Sequence, residues 1–480
     1  MTATNRAILG MLILGIVARF ACLSNHSFWH DEGSTLYLAT APDPIEALRG
    51  SRHPPIAIFA FRYWIAMFGE SDAAARSLSA LVSCGSLVMF ILLSKIWLGR
   101  FSAEAWAAAV LLYAIAPFQL HYASEVTPYA FFEFGSLLAL LSLALAIAKQ
   151  NVTIFHYLGV FCGVAMAFGS QYMGWLAGFC VAAISAAACG CRELSFKKFV
   201  LFTTSAILAG VAWMPWLLTI FQDQKNTIWG NEAKISLFDF AQLPARLLLF
   251  DVSVLNSYAR VVSYILGASI WLGLAGFVIC TIYKKCSEYI YILAAMTAPF
   301  AGAVALLFLM PPNFLPRYLT PAAPMVACAS VAGICCIPWT LARRTLLILL
   351  IAGCGAMSFM QKITNRREDY RTVCAEVASA WKPGDRILVI SGTPDPFAES
   401  TVRHYLRFRP EIAASIEHAS VIIPKLHLSY QLGTRIHVVH REKGYSHDSY
   451  KAFFTIGKAI EETELRFGVR RALFEVTRKF

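Results

Sequence analysis

Apolar residues in this chain gather into long uninterrupted runs rather than the one-sided stripes of a soluble helix. Eleven such runs lie near residues 7–23, 74–97, 103–120, 129–148, 154–169, 172–190, 199–221, 258–282, 289–310, 318–339 and 344–361. Each is close to the roughly 20 residues that a helix needs to cross a hydrocarbon core of about 30 Å. They do not alternate apolar with polar, as the strands of a membrane barrel would. A helical membrane core is therefore predicted, because a helix satisfies its own backbone groups where there is no water to do so. Only Ser170 and Gln171 separate 154–169 from 172–190, so that turn is tight. The first run follows Arg6 and lacks a small-residue cleavage site, and it reads as a retained helix.

A twelfth run, 55–69, is short, begins at Pro54-Pro55 and carries Arg62. Whether it spans decides the orientation of everything after it. If it does not, Arg6, Lys95, Arg100, Lys149, Arg192, Lys197, Lys198, Lys284, Lys285, Arg343 and Arg344 all fall on one side. The opposite short links, 119–128, 170–171 and 311–317, then hold only Arg317. Basic loops stay cytoplasmic, so 55–69 is expected along the outer interface, where Arg62, Tyr63 and Trp64 suit a headgroup layer. The outer loops become 24–73 and 222–257, and an odd span count leaves the tail extracytoplasmic too. Charge thickens at Asn365-Arg366-Arg367-Glu368-Asp369, which sets a membrane domain at 1–364 and a small α/β domain at 365–480. In that tail 369–381 and 449–462 read as helices, Lys382-Pro383-Gly384-Asp385 as a turn, and 386–391 and 435–440 as strands. The expected fold class is an all-α polytopic membrane core of about eleven transmembrane helices with a small extracytoplasmic α/β C-terminal domain.

Composition sharpens this picture. Hydrophobic residues make up 58% and charged residues 15% of the 480 positions, against about 25% charge in a soluble domain. That excludes an ordinary soluble enzyme, a disordered chain and a nucleic-acid binder with a solvated basic surface, despite a net charge of +12. The 13 cysteines are mostly single residues within apolar runs and lack the paired spacing of a zinc site. Small apolar packing is their expected role.

Ionisable residues in or against a bilayer cost about 2.5–3.5 kcal/mol each on insertion scales, and they tend to be functional. Here they are few and one-sided: Arg19, Asp31, Glu32, Arg52, His53, Arg76, Glu125, Glu133 and Arg317. A channel or proton-coupled carrier would place them through the thickness or at the midplane of two matching halves. A cluster at one surface points instead to a lipid-borne substrate. Asp31 and Glu32, in Trp29-His30-Asp31-Glu32, offer a base and a partner; acids also favour a helix N-terminus. Arg52-His53-Pro54-Pro55 offers cationic groups for a phosphate, or a proline-initiated interfacial helix. Glu125 and Tyr129 lie on the link 119–128 and the start of the next run, and Gln171 lies on the following outer turn. Arg317-Tyr318 opens the tenth run and suits a phosphate clamp, or an interfacial anchor pair.

Taken in order, these patches resemble the GT-C glycosyltransferases, in the bacterial branch related to dolichyl-phosphate-mannose protein mannosyltransferases and lipid A aminoarabinose transferase. The resemblance covers about 7–340 and rests on WHDEGSTLYLA (29–39), HPPIAIFAFRYWIAMFGESDAAARSLSAL (53–81), APFQLHYASEVTPYA (116–130), SQY (170–172) and PRYLTPAAP (316–324). It implies that Asp31 is the catalytic base, that Glu32 is the second acid of its motif, and that Arg52 or His53 lies near the lipid phosphate. Glu125 matches the acid of the family's Glu-x-Arg-Pro-Tyr pattern, with Thr127 standing where the family has arginine, and Arg317 matches its Arg-Tyr pair.

The expected activity is inverting transfer of a sugar from a polyprenyl-monophosphate donor to a protein, glycolipid or polysaccharide acceptor outside the cytoplasm. Membrane lipids are the surroundings and nucleic acid is not a partner. No cofactor is required by the reading, although a divalent cation bridging a carboxylate to phosphate is compatible with it, and no metal-ligating residues are assigned. The expected location is a bacterial inner or plasma membrane, crossed many times. The alternative is a transporter or flippase of lipid-linked sugar, in which the same residues bind and do no chemistry.

Overall fold

The computed structural model describes residues 3–49, 51, 53–99, 102–149, 152–223, 237–250, 257–284, 286–309, 316–364, 368–390, 397–419, 434–441, 457–462 and 469–476. Packing divides the chain into two units. The first takes 1–21, 45–64 and 76–361; the second takes 22–44, 65–75 and 362–480.

The first unit is built of helices and their links, with no strand among its described residues. Among them, seven helices are long and apolar enough to cross a membrane, or eight if Ala103–Ile115 and Pro117–Ala123, bent by 45°, form one span. These correspond to eight of the eleven predicted runs. The other three coincide with the helices Ala3–Phe20, Ile154–Ser170 and Ser287–Leu309. Ile154–Ser170 has 17 residues and is apolar but short, so the count of eleven spans exceeds what length and apolarity establish. The run at 55–69 forms the helix Pro55–Phe68, also among the shorter apolar helices. The chain is a multi-pass membrane protein with a predominantly helical fold.

Two packing devices stand out in the first unit. Arg19 is fully buried, which is costly unless its donors are met. Its Nε donates to Ser83 Oγ at 2.9 Å, and its Nη1 donates to the carbonyls of Gly15 and Ala114 at 3.0 Å each. The guanidinium thereby ties three helices. The second device is a backbone-to-backbone approach of Tyr129–Lys149 and Ile154–Ser170. A Cβ on Gly163 would stand 2.5 Å from Ala139 N and 2.6 Å from Gly135 O. Close helix crossings in membranes use small residues for this purpose. Gly163→Ala should therefore cost about 1–3 kcal/mol, as overpacking does. A thermal melt in detergent checks it, and an unchanged midpoint would show that the two helices can separate cheaply.

Among its described residues the second unit holds five strands: β1 (Arg386–Ile390), β2 (Ile416–Ala419), β3 (Arg435–Arg441), β4 (Gly457–Glu462) and β5 (Val469–Val476). They lie in the order β2-β1-β3-β5-β4, with β1 parallel to β2 and β3, and β5 antiparallel to β3 and β4. Tyr370, Val373 and Val377 from the helix Tyr370–Ala380 form a core with Ile387 and Val389 of β1 and Val402 of the helix Phe397–Leu406. The predicted turn before β1 is present, with Gly384 at φ +96°, a conformation glycine adopts without strain. The helix predicted over 449–462 is not: 457–462 is strand β4, paired with β5 through a bulge at Ala459/Glu461, and 449–456 lies outside the described residues. Ladder hydrogen bonds to partners 10–19 positions further on outweigh the helical apolar spacing read in this segment.

Candidate active site

In the second unit, Asp31 and Glu32 lie in the first turn of the helix His30–Thr40. The two neighbouring acids face different surroundings. Glu32 is fully buried, and its Oε2 accepts from the Trp29 amide at 3.3 Å, closing the helix start. Asp31 is partly exposed, and its carbonyl accepts from Thr35 Oγ1 at 3.4 Å. Glu32 is thus committed to local structure, whereas Asp31 is only partly buried.

The first unit holds most of the other predicted residues. Glu125 is fully buried just past the end of the helix Pro117–Ala123, and His121 Nε2 lies 2.8 Å from its Oε1. The Glu125 carbonyl accepts from Ser79 Oγ at 2.5 Å. The His121 ring lies 3.7 Å, centroid to centroid, from that of Phe250, a residue in the left-handed region at φ 65°. A non-glycine residue there costs about 1–3 kcal/mol. Tyr122 bridges onward, with its ring 4.8 Å from Tyr129. The Arg317 guanidinium sits over the Tyr129 ring at 5.4 Å from its centroid, which holds a cation in place without neutralising it.

Glu125, Tyr129 and Arg317 are therefore joined through His121 and Tyr122. Tyr318 follows Arg317 in the short 3-10 helix Pro316–Ala322 and is partly buried. Gln171 is buried on its turn and its side-chain carbonyl accepts from the Tyr172 amide at 2.8 Å. His53 is partly buried, with its amide donating to Ser51 Oγ at 3.1 Å. Arg52 lies outside the described residues. His121 was not singled out in the sequence; its i, i+4 spacing to Glu125 is the signal that finds it. Among the described residues no group of three or more His, Cys, Asp or Glu side chains is arranged to hold a metal ion.

The family model of dolichyl-phosphate-mannose-protein mannosyltransferase matches residues 52–218. The fold is similar to that of ArnT from Cupriavidus metallidurans in the apo state, at TM-score 0.61 and 13% identity over 98% of both chains. It is similar to the same protein bound to undecaprenyl phosphate, at TM-score 0.55, again with 13% identity over 98% of both chains. The oligosaccharyltransferase of Archaeoglobus fulgidus in the apo form is a more distant likeness, at TM-score 0.51 and 10% identity over 90% of this chain and 69% of that one. No protein of curated function matches the sequence. The resemblance to GT-C glycosyltransferases is borne out, in fold along the whole chain and in sequence over 52–218.

Proposed function

We propose that this protein is a membrane glycosyltransferase that moves a sugar from a polyprenyl-monophosphate donor to an acceptor outside the cytoplasm, with inversion at the anomeric carbon and Asp31 as the base. The observation that supports the reading is the sorting of the two adjacent acids, Glu32 fully buried on the Trp29 amide and Asp31 only partly buried. The fold shared with a protein that binds undecaprenyl phosphate supports the choice of donor.

The acceptor's O–H or N–H attacks the anomeric carbon while Asp31 takes its proton. The bond from that carbon to the lipid phosphate oxygen breaks with its electron pair. The departing polyprenyl phosphate carries one more negative charge than it did in the donor, so its stabilisation calls for cations rather than for an acid. Arg317, Arg52 and His53 are assigned to it, with Tyr318 beside Arg317. Glu125, Tyr129 and Gln171 are assigned to the sugar or the phosphate surroundings. A retaining mechanism would need two carboxyl groups about 5 Å apart across the sugar. Glu32, turned into the helix start, is not available for that role. A divalent cation, where the reaction uses one, would be held by donor phosphate with one carboxylate such as Asp31 or Glu125.

The test is direct: purified protein is supplied with labelled polyprenyl-phosphate sugar and an extract of envelope acceptors, and products are read by mass spectrometry. Label is expected in an acceptor, with free polyprenyl phosphate formed in equal amount. Movement of intact donor between the leaflets of a vesicle with no product would instead establish the transporter alternative.

A further inference from the structure

Within the second unit, the segment that leads into Asp31 is held at four backbone positions by side chains of residues 368–405. Arg371 Nη2 donates to the carbonyls of Ser24 at 2.8 Å and His26 at 3.1 Å. The Arg371 amide donates to Ser27 Oγ at 3.1 Å. The Phe28 amide donates to Tyr405 Oη at 2.6 Å, and the His30 amide donates to Glu368 Oε2 at 3.0 Å. Arg371 and Tyr405 then converge on one carboxylate, Asp72 Oδ2, at 2.6 and 2.7 Å. The Phe28 side chain is fully buried, its ring edge-on to His404 at 4.9 Å between centroids.

This is more than a helix cap. Glu368 is buried and meets the first amide of the helix His30–Thr40, the residue directly before Asp31. Hydrogen bonds with one charged partner are shorter and about twice as strong as neutral ones, and four of those named above have one. Burial, with the Asp72 carboxylate alongside, pushes the Tyr405 hydroxyl above its ordinary pKa, so it stays a donor to Asp72 across the physiological range. Four of these contacts reach main-chain atoms of Ser24, His26, Phe28 and His30 and so fix the backbone directly. A base is useful only within about 2.6–3.2 Å of the proton it takes, and a misplacement of about 1 Å can cost on the order of 10²-fold in rate.

We propose that Glu368, Arg371 and Tyr405 are positioning residues for Asp31, so that the C-terminal segment is a working part of the transferase. This rests on the reading of Asp31 as the base. In the full-length protein, Arg371→Ala should lower kcat about 10–100-fold and leave KM for the donor within about twofold. Arg371→Lys, whose ammonium offers three donors, should recover most of the loss. Tyr405→Phe, which removes one hydroxyl and disturbs packing least, should show the same split more weakly. Combined with Asp31→Asn, Arg371→Ala should lower the rate no further, since a misplaced base and an absent one are the same defect. Melting midpoints within a few degrees of wild type would accompany these results.

Wild-type kcat in both Arg371→Ala and Tyr405→Phe, with transfer lost in Asp31→Asn, would overturn the positioning role alone. Losses that add to that of Asp31→Asn would overturn it too. A wild-type rate in Asp31→Asn itself would overturn the base assignment beneath it.

Discussion

Asp31→Asn should abolish sugar transfer while leaving the donor bound. A positioned general base supplies about 10²–10⁴-fold in rate, and the amide keeps the shape of the carboxylate without its basicity. Its neighbour gives an internal control. Glu32 is buried against the Trp29 amide, so Glu32→Gln, which keeps an acceptor oxygen there, should act mainly on stability. Single-turnover measurements with labelled donor, together with equilibrium binding, separate the two effects. Transfer at the wild-type rate in Asp31→Asn, or a collapse of donor binding that accounts for the whole loss, would remove Asp31 from the role of base.

Arg317→Ala should cost about 10²–10³-fold in kcat, the usual price of losing one group aimed at developing charge. Donor affinity should fall as well, because the phosphodiester in the bound donor already carries a negative charge. The loss in kcat should still be the larger, since the leaving phosphate gains a second charge as the bond breaks. The Tyr129 ring beneath the guanidinium adds a further expectation. Lysine at 317 should restore only part of the rate, because it lacks the planar face that stacks on an aromatic ring and the fork that grips two phosphate oxygens. The readout is kcat and KM for Arg317→Ala and Arg317→Lys side by side. Equal and small effects in both would argue for an interfacial anchor.

What the sequence disclosed and what it concealed follow from the range of each interaction. Apolar run lengths are local, and all eleven predicted runs coincide with helices. Strands β1 and β3 were legible for the same reason, as short β-branched runs bounded by turn residues. The strand at 457–462 was not, because its identity comes from β5 and a window centred on it holds no trace of that partner. Within the site, the His121–Glu125 pair was readable in principle. A link over 119–128 suggests no such pairing, whereas Pro117–Ala123 is helical and carries His121, with Glu125 two residues past the helix end. The different fates of Asp31 and Glu32 depend on a backbone amide at Trp29, and the sequence there lacks the serine or threonine that would signal a capping box. The boundary at 364/365 rests on composition alone; packing groups 362–480 with 22–44 and 65–75.

The bond from the His30 amide to Glu368 joins residues 338 positions apart, and this has a consequence for how the chain is made. At about 5–20 residues per second, a ribosome needs roughly 20–70 s to travel that distance. Throughout that interval the stretch around Phe28 has been synthesised while the residues destined to cover it do not yet exist. Biogenesis must therefore keep an early, unfinished surface from sticking to the wrong neighbour until the last quarter of the polypeptide emerges. Premature termination there would leave every long helix translated and yet deliver a protein whose opening loop never acquires its lock.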